Sequence, residues 1–246
     1  MIKKTNLTGV KALARSFLMF DPVDTEYSPL VVKHPFTDSG IVGLQKDDGG
    51  IRIGNICENA QDLDAWRKQT ADTIDRCDSA MQVAFLVTKS YSLGFLKYAQ
   101  GSLDKDDFAK ILAYLWISTE QPNNDPNLSK NKLLAMFKSA EPTALMDDEE
   151  FSEFKALPEV LTVYRGVTSF NAKNVLALSW TLDREKAEWF AHRFGEDGTV
   201  CEAQIGKEYV YALFNGRGES EVIVDPKYLQ GITQSDDQAE GFSMTM

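Results

Sequence analysis

Five polar residues in the last third of the chain have types and spacings that could support chemistry in one cleft. Arg165 ends a strand-like run, and a guanidinium can hold anionic oxygens by charge-assisted hydrogen bonds. Ser179 and Thr181 are two apart in "LSWT", and Glu219 and Glu221 are two apart before "VIV". Side chains two apart in an extended strand project from the same face. Each pair should therefore present its polar groups together, and the glutamates would bring like charges to one small region.

Each of these residues also has an ordinary structural explanation when taken singly, because short motifs match by accident. Arg165 could form a surface salt bridge, and Ser179 and Thr181 could be half-buried strand residues. A lone Glu-x-Glu is typical of a solvated turn before an edge strand, since glutamate is a poor strand former. The order of the three elements along the chain therefore carries the functional prediction.

This ordered set resembles the arginine-serine-glutamate class of mono-ADP-ribosyltransferases, over about residues 158 to 232. The stretches "SWTLDREKAEWFAHRF" and "ESEVIVDP" also look like ADP-ribosyltransferase-type domains of phages, prophages and bacterial toxin modules. The middle motif reads Ser-Trp-Thr where the family more often has Ser-Thr-Ser, but it keeps both outward hydroxyls. The family's histidine-tyrosine-glutamate class would have a histidine in place of Arg165.

The resemblance implies that Glu221, Glu219 and Arg165 are catalytic residues acting on NAD, which is consumed as a substrate. Glu221 would bind the ribose 2-hydroxyl and stabilise the positive charge that develops as the nicotinamide–ribose bond breaks. Glu219 would position or deprotonate the acceptor. Arg165 would hold a phosphate or ribose oxygen of NAD.

The same resemblance implies further residues of the NAD site. Backbone groups at Gly166 would bind the nicotinamide amide, because a residue without a side chain allows close approach. Ser179 would orient Glu221 by a hydrogen bond, and Thr181 would support the cleft with it. Phe190, which also fits a core position, is the best candidate among the aromatic residues for the cleft.

Several neighbours of these residues are better explained by structure than by chemistry. Trp180 and Trp189 have strand and helix spacings typical of a core. Asn215 and Arg217 lie before the glutamates, where a plain turn is expected although they could reach the acceptor. His192 is typical of a helix surface or core.

Composition and charge narrow the class of protein. The 246 residues are 43% hydrophobic and 26% charged, as in an ordinary soluble globular protein. No apolar run reaches the roughly 18 residues of a membrane span, and the first residues lack the features of a signal peptide. We therefore expect a cytoplasmic protein without membrane contacts. The net charge of −11 argues against a broad nucleic-acid-binding face but allows a locally basic cleft.

The cysteines and histidines predict neither a metal site nor a disulfide framework. Cys57, Cys77 and Cys201 are odd in number and widely spaced, and they form no zinc-like pattern with His34 or His192. We expect three thiols in a reducing compartment and no metal cofactor. Two histidines also leave little material for a histidine-based triad.

The elements that must position the candidate site divide the chain near residue 155. Residues 1–155 form a mixed, mainly helical region that would recognise the target, cover the cleft or bind a partner. It includes a β-hairpin turn at "KDDGG" and an acidic helix, "MDDEEFSEFKALPEV", whose charges we expect to be solvated.

Residues 156–232 form the ADP-ribosyltransferase-like core. It has five β-like runs, "LTVYRGV", "VLALSWT", "GTVCEAQI", "YVYALF" and "EVIVD", and one helix, "LDREKAEWFAHRF". Residues 233–246 lack periodicity and are expected to be a mobile tail. We predict an α+β fold, and the resemblance implies two small β-sheets packed at a steep angle with NAD between them.

The sequence thus predicts an NAD-dependent mono-ADP-ribosyltransferase that modifies a macromolecule. A protein side chain, arginine first, is the expected acceptor, and a nucleic-acid base is the second. Such an activity suits a toxin, a phage-defence protein or a phage effector, with an antitoxin-type partner to neutralise it. The alternatives are a catalytically inactive NAD-binding or interaction module of the same fold, and a structural protein in which these residues decorate the surface.

Overall fold

The computed structural model describes residues 4–28, 30–119, 122–169, 171, 175–195 and 197–235. The chain divides into two compact units, Met1–Ser129 and Lys130–Met246. Helices and several antiparallel sheets are both present, so the predicted α+β class is confirmed. Within the residues described, none of the helices has the length and apolar character needed to cross a membrane.

The first unit combines helices with two small antiparallel sheets. Its helices are α1 (Leu7–Leu18), α2 (Ala60–Arg76), α3 (Ala80–Phe85), α4 (Lys89–Ala99) and α5 (Lys105–Ser118). Its strands are β1 (Val23–Asp24), β2 (Val31–His34), β3 (Thr37–Ser39), β4 (Ile41–Gln45) and β5 (Ile51–Asn55). Strands β1 to β3 form one sheet, and β4 pairs with β5 in a hairpin.

Local sequence signals explain these elements. The hairpin turn predicted at "KDDGG" is confirmed: the Lys46 amide donates to the Gly50 carbonyl at 2.8 Å, and Gly49 takes the positive φ of 82° that glycine tolerates. Helix α5 begins after Asp104, whose carboxylate accepts from the Asp107 amide. The apolar side chains that recur at helical spacing along α5 are buried: Phe108, Ile111, Leu112, Leu115 and Trp116. The core of this unit is therefore largely helical.

The second unit holds every candidate site residue. Its helices are α6 (Lys130–Ser139), α7 (Pro142–Leu145), α8 (Asp148–Ala156) and α9 (Arg184–Ala191). Its strands are β6 (Val160–Val167), β7 (Ser179–Thr181), β8 (Thr199–Gly206), β9 (Val210–Phe214), β10 (Glu221–Val224) and β11 (Gln230–Ser235).

The described strands of this unit form one six-stranded antiparallel sheet in the order β11-β8-β6-β7-β10-β9. The expectation of two separate packed sheets was wrong, because these six strands are hydrogen-bonded into one sheet. The join lies between β6 and β7, where Tyr164 pairs with Thr181. On its other side β6 pairs with β8 from Val160 through Val167. The link at β6–β7 is thus far shorter than the ladder beside it.

Helices α6 to α8 belong to the strand-rich unit, which moves the boundary from the expected 155 to residues 129/130. The Phe137 ring of α6 lies 6.5 Å from the Phe214 ring of β9, centroid to centroid. After α7, Met146 accepts a hydrogen bond through its sulfur from the Leu213 amide at 3.3 Å. These contacts bridge more than sixty residues of sequence, so local composition could not reveal them.

The end of the chain also differs from expectation. Strand β11 pairs with β8 as far as Ser235, opposite Val200, so residues 233–235 belong to the sheet. The rest of the expected mobile tail, residues 236–246, lies outside the described residues.

Candidate active site

Strands β7 and β10 bring Ser179 and Glu221 together. In their antiparallel register Ser179 lies opposite Ile223, and Glu221 lies opposite Thr181, so Ser179 and Glu221 are diagonal neighbours on one face. The Ser179 hydroxyl donates to Oε1 of Glu221 at 2.5 Å. Glu221 is only 6% exposed. The result is a buried carboxylate that a hydroxyl donor holds in a fixed orientation.

Arg165 reaches the same place from the neighbouring strand β6. Its Nη1 donates to the backbone carbonyl of Ser179 at 2.6 Å. Its Nε is buried and has no hydrogen-bond partner among the described residues. Burial lowers the pKa of Arg165 from its usual range to about 10, although the nearby charge of Glu221 acts in the opposite direction. The guanidinium therefore stays charged at neutral pH, with one donor uncommitted to the described protein.

Thr181 is buried, and its hydroxyl is used by the backbone. It donates to the carbonyl of Glu219 at 2.6 Å and accepts from the amide of Asp183 at 3.0 Å. Asp183 in turn caps helix α9. Thr181 thus ties the glutamate loop to the start of the helix, which is a framework role.

Glu219 lies in the loop before β10 and not in the strand itself. Ser220 between the two glutamates has a φ of 43°, which breaks the extended backbone expected from their spacing. Their carboxylates nevertheless meet at one guanidinium. Nη2 of Arg217 lies 3.0 Å from Oε2 of Glu219 and 3.9 Å from Oε2 of Glu221. A turn, and not a strand face, brings the two acidic groups together.

Helix α8 anchors this loop, and sequence reasoning missed that role. Glu150 accepts from the Asn215 amide at 2.7 Å, and Glu153 accepts from the Asn215 side chain at 2.7 Å. Glu150 is 8% exposed and also completes a capping box with Asp147. The expectation of a wholly solvated acidic face was therefore wrong at Glu150. The capping pattern Asp-x-x-Glu was the available signal.

Gly166 is required by the packing of helix α9 on strand β6. A Cβ at this position would lie 2.2 Å from the Ala187 carbonyl oxygen and 2.6 Å from the Ala191 nitrogen. Phe190 is also adjacent, with its Cβ 2.8 Å from the same point, and its side chain is partly buried. The helix backbone thus fills the space beside Gly166, which places Phe190 next to the strand that carries Arg165.

Lys130 is a second cation near Arg165 that the sequence did not single out. Its Nζ donates to the carbonyl of Leu176 at 2.6 Å, three residues before the carbonyl that accepts from Arg165. Burial, and then the charge of Arg165, lower the pKa of Lys130. Lys130 lies 35 residues before Arg165 and outside the region of resemblance, so no motif pointed to it.

Of the remaining aromatic and histidine side chains near the site, some lie in the core and others at the surface. Trp180 is buried, and its indole donates to the Ala177 carbonyl at 3.2 Å, as a core residue should. Trp189 is 56% exposed, so the expectation of a core position was wrong. His192 lies at the end of α9, where its Nδ1 is 2.9 Å from the Glu188 carbonyl.

The histidines and cysteines form no site of their own. No group of three or more potential metal ligands occurs in the described ranges. His34 is buried, with Nε2 3.0 Å from the Phe20 carbonyl and Nδ1 accepting from the Phe36 amide. Cys57, Cys77 and Cys201 are free thiols. Cys201 is buried and lies opposite Arg165 in the register of β6 and β8.

No protein-family model, curated protein or solved structure matches this chain. The contacts among Arg165, Ser179 and Glu221, together with the ordered motifs in the sequence, therefore indicate what this site can do.

Proposed function

We propose that the protein is an NAD-dependent mono-ADP-ribosyltransferase, with Glu221, Glu219 and Arg165 at its active centre. One observation carries the proposal: Ser179 contacts both Glu221 and Arg165. Its hydroxyl orients the Glu221 carboxylate, and its carbonyl accepts from Arg165. A cation that can hold an anionic oxygen and an oriented carboxylate that can stabilise an oxocarbenium ion therefore flank one residue, and this combination suits an anionic glycoside.

The residues present suit NAD. Arg165 has a buried Nε without a protein partner in the part of the chain described here, and such a donor fits a phosphate or ribose oxygen. Phe190 borders Gly166, which offers an aromatic group near that position. When bound, NAD supplies a ribose carbon with a good leaving group, nicotinamide, which departs with the bonding electron pair.

The two glutamates would then have different roles in the reaction. Glu221 stabilises positive charge on the ribose most effectively if it cannot move, and the 2.5 Å hydrogen bond from Ser179 holds it. Glu219 is less buried than Glu221, with 19% of its side chain exposed, so it can face an incoming acceptor. It would accept the proton that the acceptor nitrogen loses as its bond to the ribose carbon forms.

Contacts within the chain support an arginine acceptor. The guanidinium of Arg217 lies against both glutamates. This pair of carboxylates is therefore spaced to hold a guanidinium, which is the group that an arginine acceptor would present. Arg217 is 41% exposed, so it can move aside at small cost.

The test is to incubate the purified protein with labelled NAD and a cell extract, and then to digest with protease or nuclease. We expect label in protease-sensitive material. Glu221→Gln should lower transfer at least about a hundredfold, the effect of removing a key electrostatic stabiliser. Glu149→Gln is a matched control, since Glu149 is an exposed residue of α8.

The outcomes separate the candidate functions. Label in nuclease-sensitive material would shift the acceptor to nucleic acid. Loss of transfer in Glu219→Gln with retained NAD hydrolysis would support a role for Glu219 in acceptor activation. Neither transfer nor nicotinamide release with any extract would rule out the enzyme and leave a binding module.

A further inference from the structure

Two cations of the second unit are anchored to one short segment. Lys130, the first residue of α6, donates to the Leu176 carbonyl, and Arg165 of β6 donates to the Ser179 carbonyl, both at 2.6 Å. Leu176 and Ser179 are three residues apart where the chain enters β7. Two separate elements thus direct positive charge to the same stretch of backbone.

This pairing of like charges needs an explanation in so acidic a chain. The protein has 37 acidic and 26 basic side chains, yet Lys130 and Arg165 lie close enough for the charge of Arg165 to act on Lys130. Like charges near each other in a partly buried place repel, and a bound anion would relieve that repulsion. Glu221 compensates for part of the charge on Arg165.

The donor geometry also favours an anion with several oxygens. Arg165 has committed Nη1 to the protein, while its buried Nε makes no hydrogen bond to any described residue. Buried donors without a partner are uncommon in native proteins, and a bound anion is one way to satisfy such a donor. The ammonium of Lys130 acts as a point charge, and the guanidinium of Arg165 is a planar donor of several hydrogen bonds. Together they suit an anion whose oxygens are carried by two neighbouring atoms, such as the two phosphorus atoms of a diphosphate.

We propose that Lys130 and Arg165 together form a diphosphate-binding site. Only the natural ligand of this site rests on the proposed function. If the protein is an ADP-ribosyltransferase, that ligand is the pyrophosphate of NAD. The site would extend the NAD-binding residues beyond the region of sequence resemblance, to the start of α6.

Calorimetry with ADP-ribose and with adenosine tests the site without any need for catalysis. Lys130→Gln should weaken binding of ADP-ribose about tenfold or more, the effect of losing one hydrogen bond to a charged group. Binding of adenosine, which has no phosphate, should not change. Lys132→Gln is the matched control because it removes an exposed lysine from the same helix.

Lys130→Arg should retain most of the affinity for ADP-ribose, since it keeps the charge. In the transfer assay, Lys130→Gln should raise KM for NAD by a similar factor and leave kcat within about twofold, because a phosphate contact is made equally in the ground and transition states.

The results distinguish this proposal from the proposed function. If ADP-ribose binds the natural protein and Lys130→Gln weakens that binding, the site stands even where no transfer or nicotinamide release is found. If Lys130→Gln and Lys132→Gln bind ADP-ribose equally well, Lys130 is not part of the site. Failure of the natural protein to bind ADP-ribose at millimolar concentration would overturn the diphosphate site altogether.

Discussion

Replacing Ser179 with alanine removes one hydroxyl and leaves the backbone that anchors Arg165 unchanged. The lost contact is a 2.5 Å hydrogen bond to a carboxylate that is 6% exposed. A hydrogen bond to a charged group contributes about 1.5–3 kcal/mol. If that energy serves to hold Glu221 for the transition state, kcat should fall about ten- to 150-fold, since about 1.4 kcal/mol is a factor of ten.

The assay is nicotinamide release at saturating NAD, with kcat and KM measured separately. Ser179→Ala should lower kcat while KM for NAD stays within about threefold, because Ser179 acts through Glu221 on the transition state. Loss of a contact made equally in the ground state and the transition state would raise KM instead. Ser179→Thr keeps a hydroxyl and should recover part of the loss. Thr162→Ala, which removes an exposed hydroxyl from β6, serves as the control. A kcat for Ser179→Ala within twofold of the natural protein would refute the positioning role.

Two further predictions concern packing and the acceptor. Gly166→Ala should lower the free energy of unfolding by about 2 kcal/mol or more, because the new Cβ would lie 2.2 Å from the Ala187 carbonyl oxygen. Gly216→Ala, where no described atom lies within 4 Å, should change it by less than about 0.5 kcal/mol, as denaturant titration would show. Arg217→Gln should lower KM for a free guanidine acceptor such as agmatine about two- to fivefold, since it frees Glu219 from an exposed ion pair. An increase in that KM would instead indicate that Arg217 helps to bind the acceptor.

Local patterns predicted much of the second unit. The runs that became β6, β8, β9 and β10, and the helix α9 with its Asp183 cap, follow from strand alternation and from helical spacing. They are confirmed because each depends on residues that are neighbours in sequence. The run "VLALSWT" gave a shorter strand, Ser179–Thr181, and β11 was missed because its sequence, "QGITQS", has little apolar alternation.

Charged side chains were the least predictable part of the site. Glu150 is buried because the Asn215 amide, 65 residues away, supplies its donor, whereas its neighbour Glu149 stays exposed. Both belong to the same acidic run, so composition could not tell them apart. Partners distant in sequence decide whether a carboxylate can be buried.

The sequence by itself determined which chemical groups are available and in what order: a strand-end arginine, a Ser-x-Thr strand before a helix, and a Glu-x-Glu motif. The tertiary structure alone decided how they meet. It set the Ser179–Glu221 hydrogen bond through the register of β7 and β10, took Glu219 out of the strand at Ser220, and brought Lys130 to Arg165. The physical reason is that side-chain type is a local property, while burial, pairing and the electrostatic field depend on atoms that only the folded chain brings together.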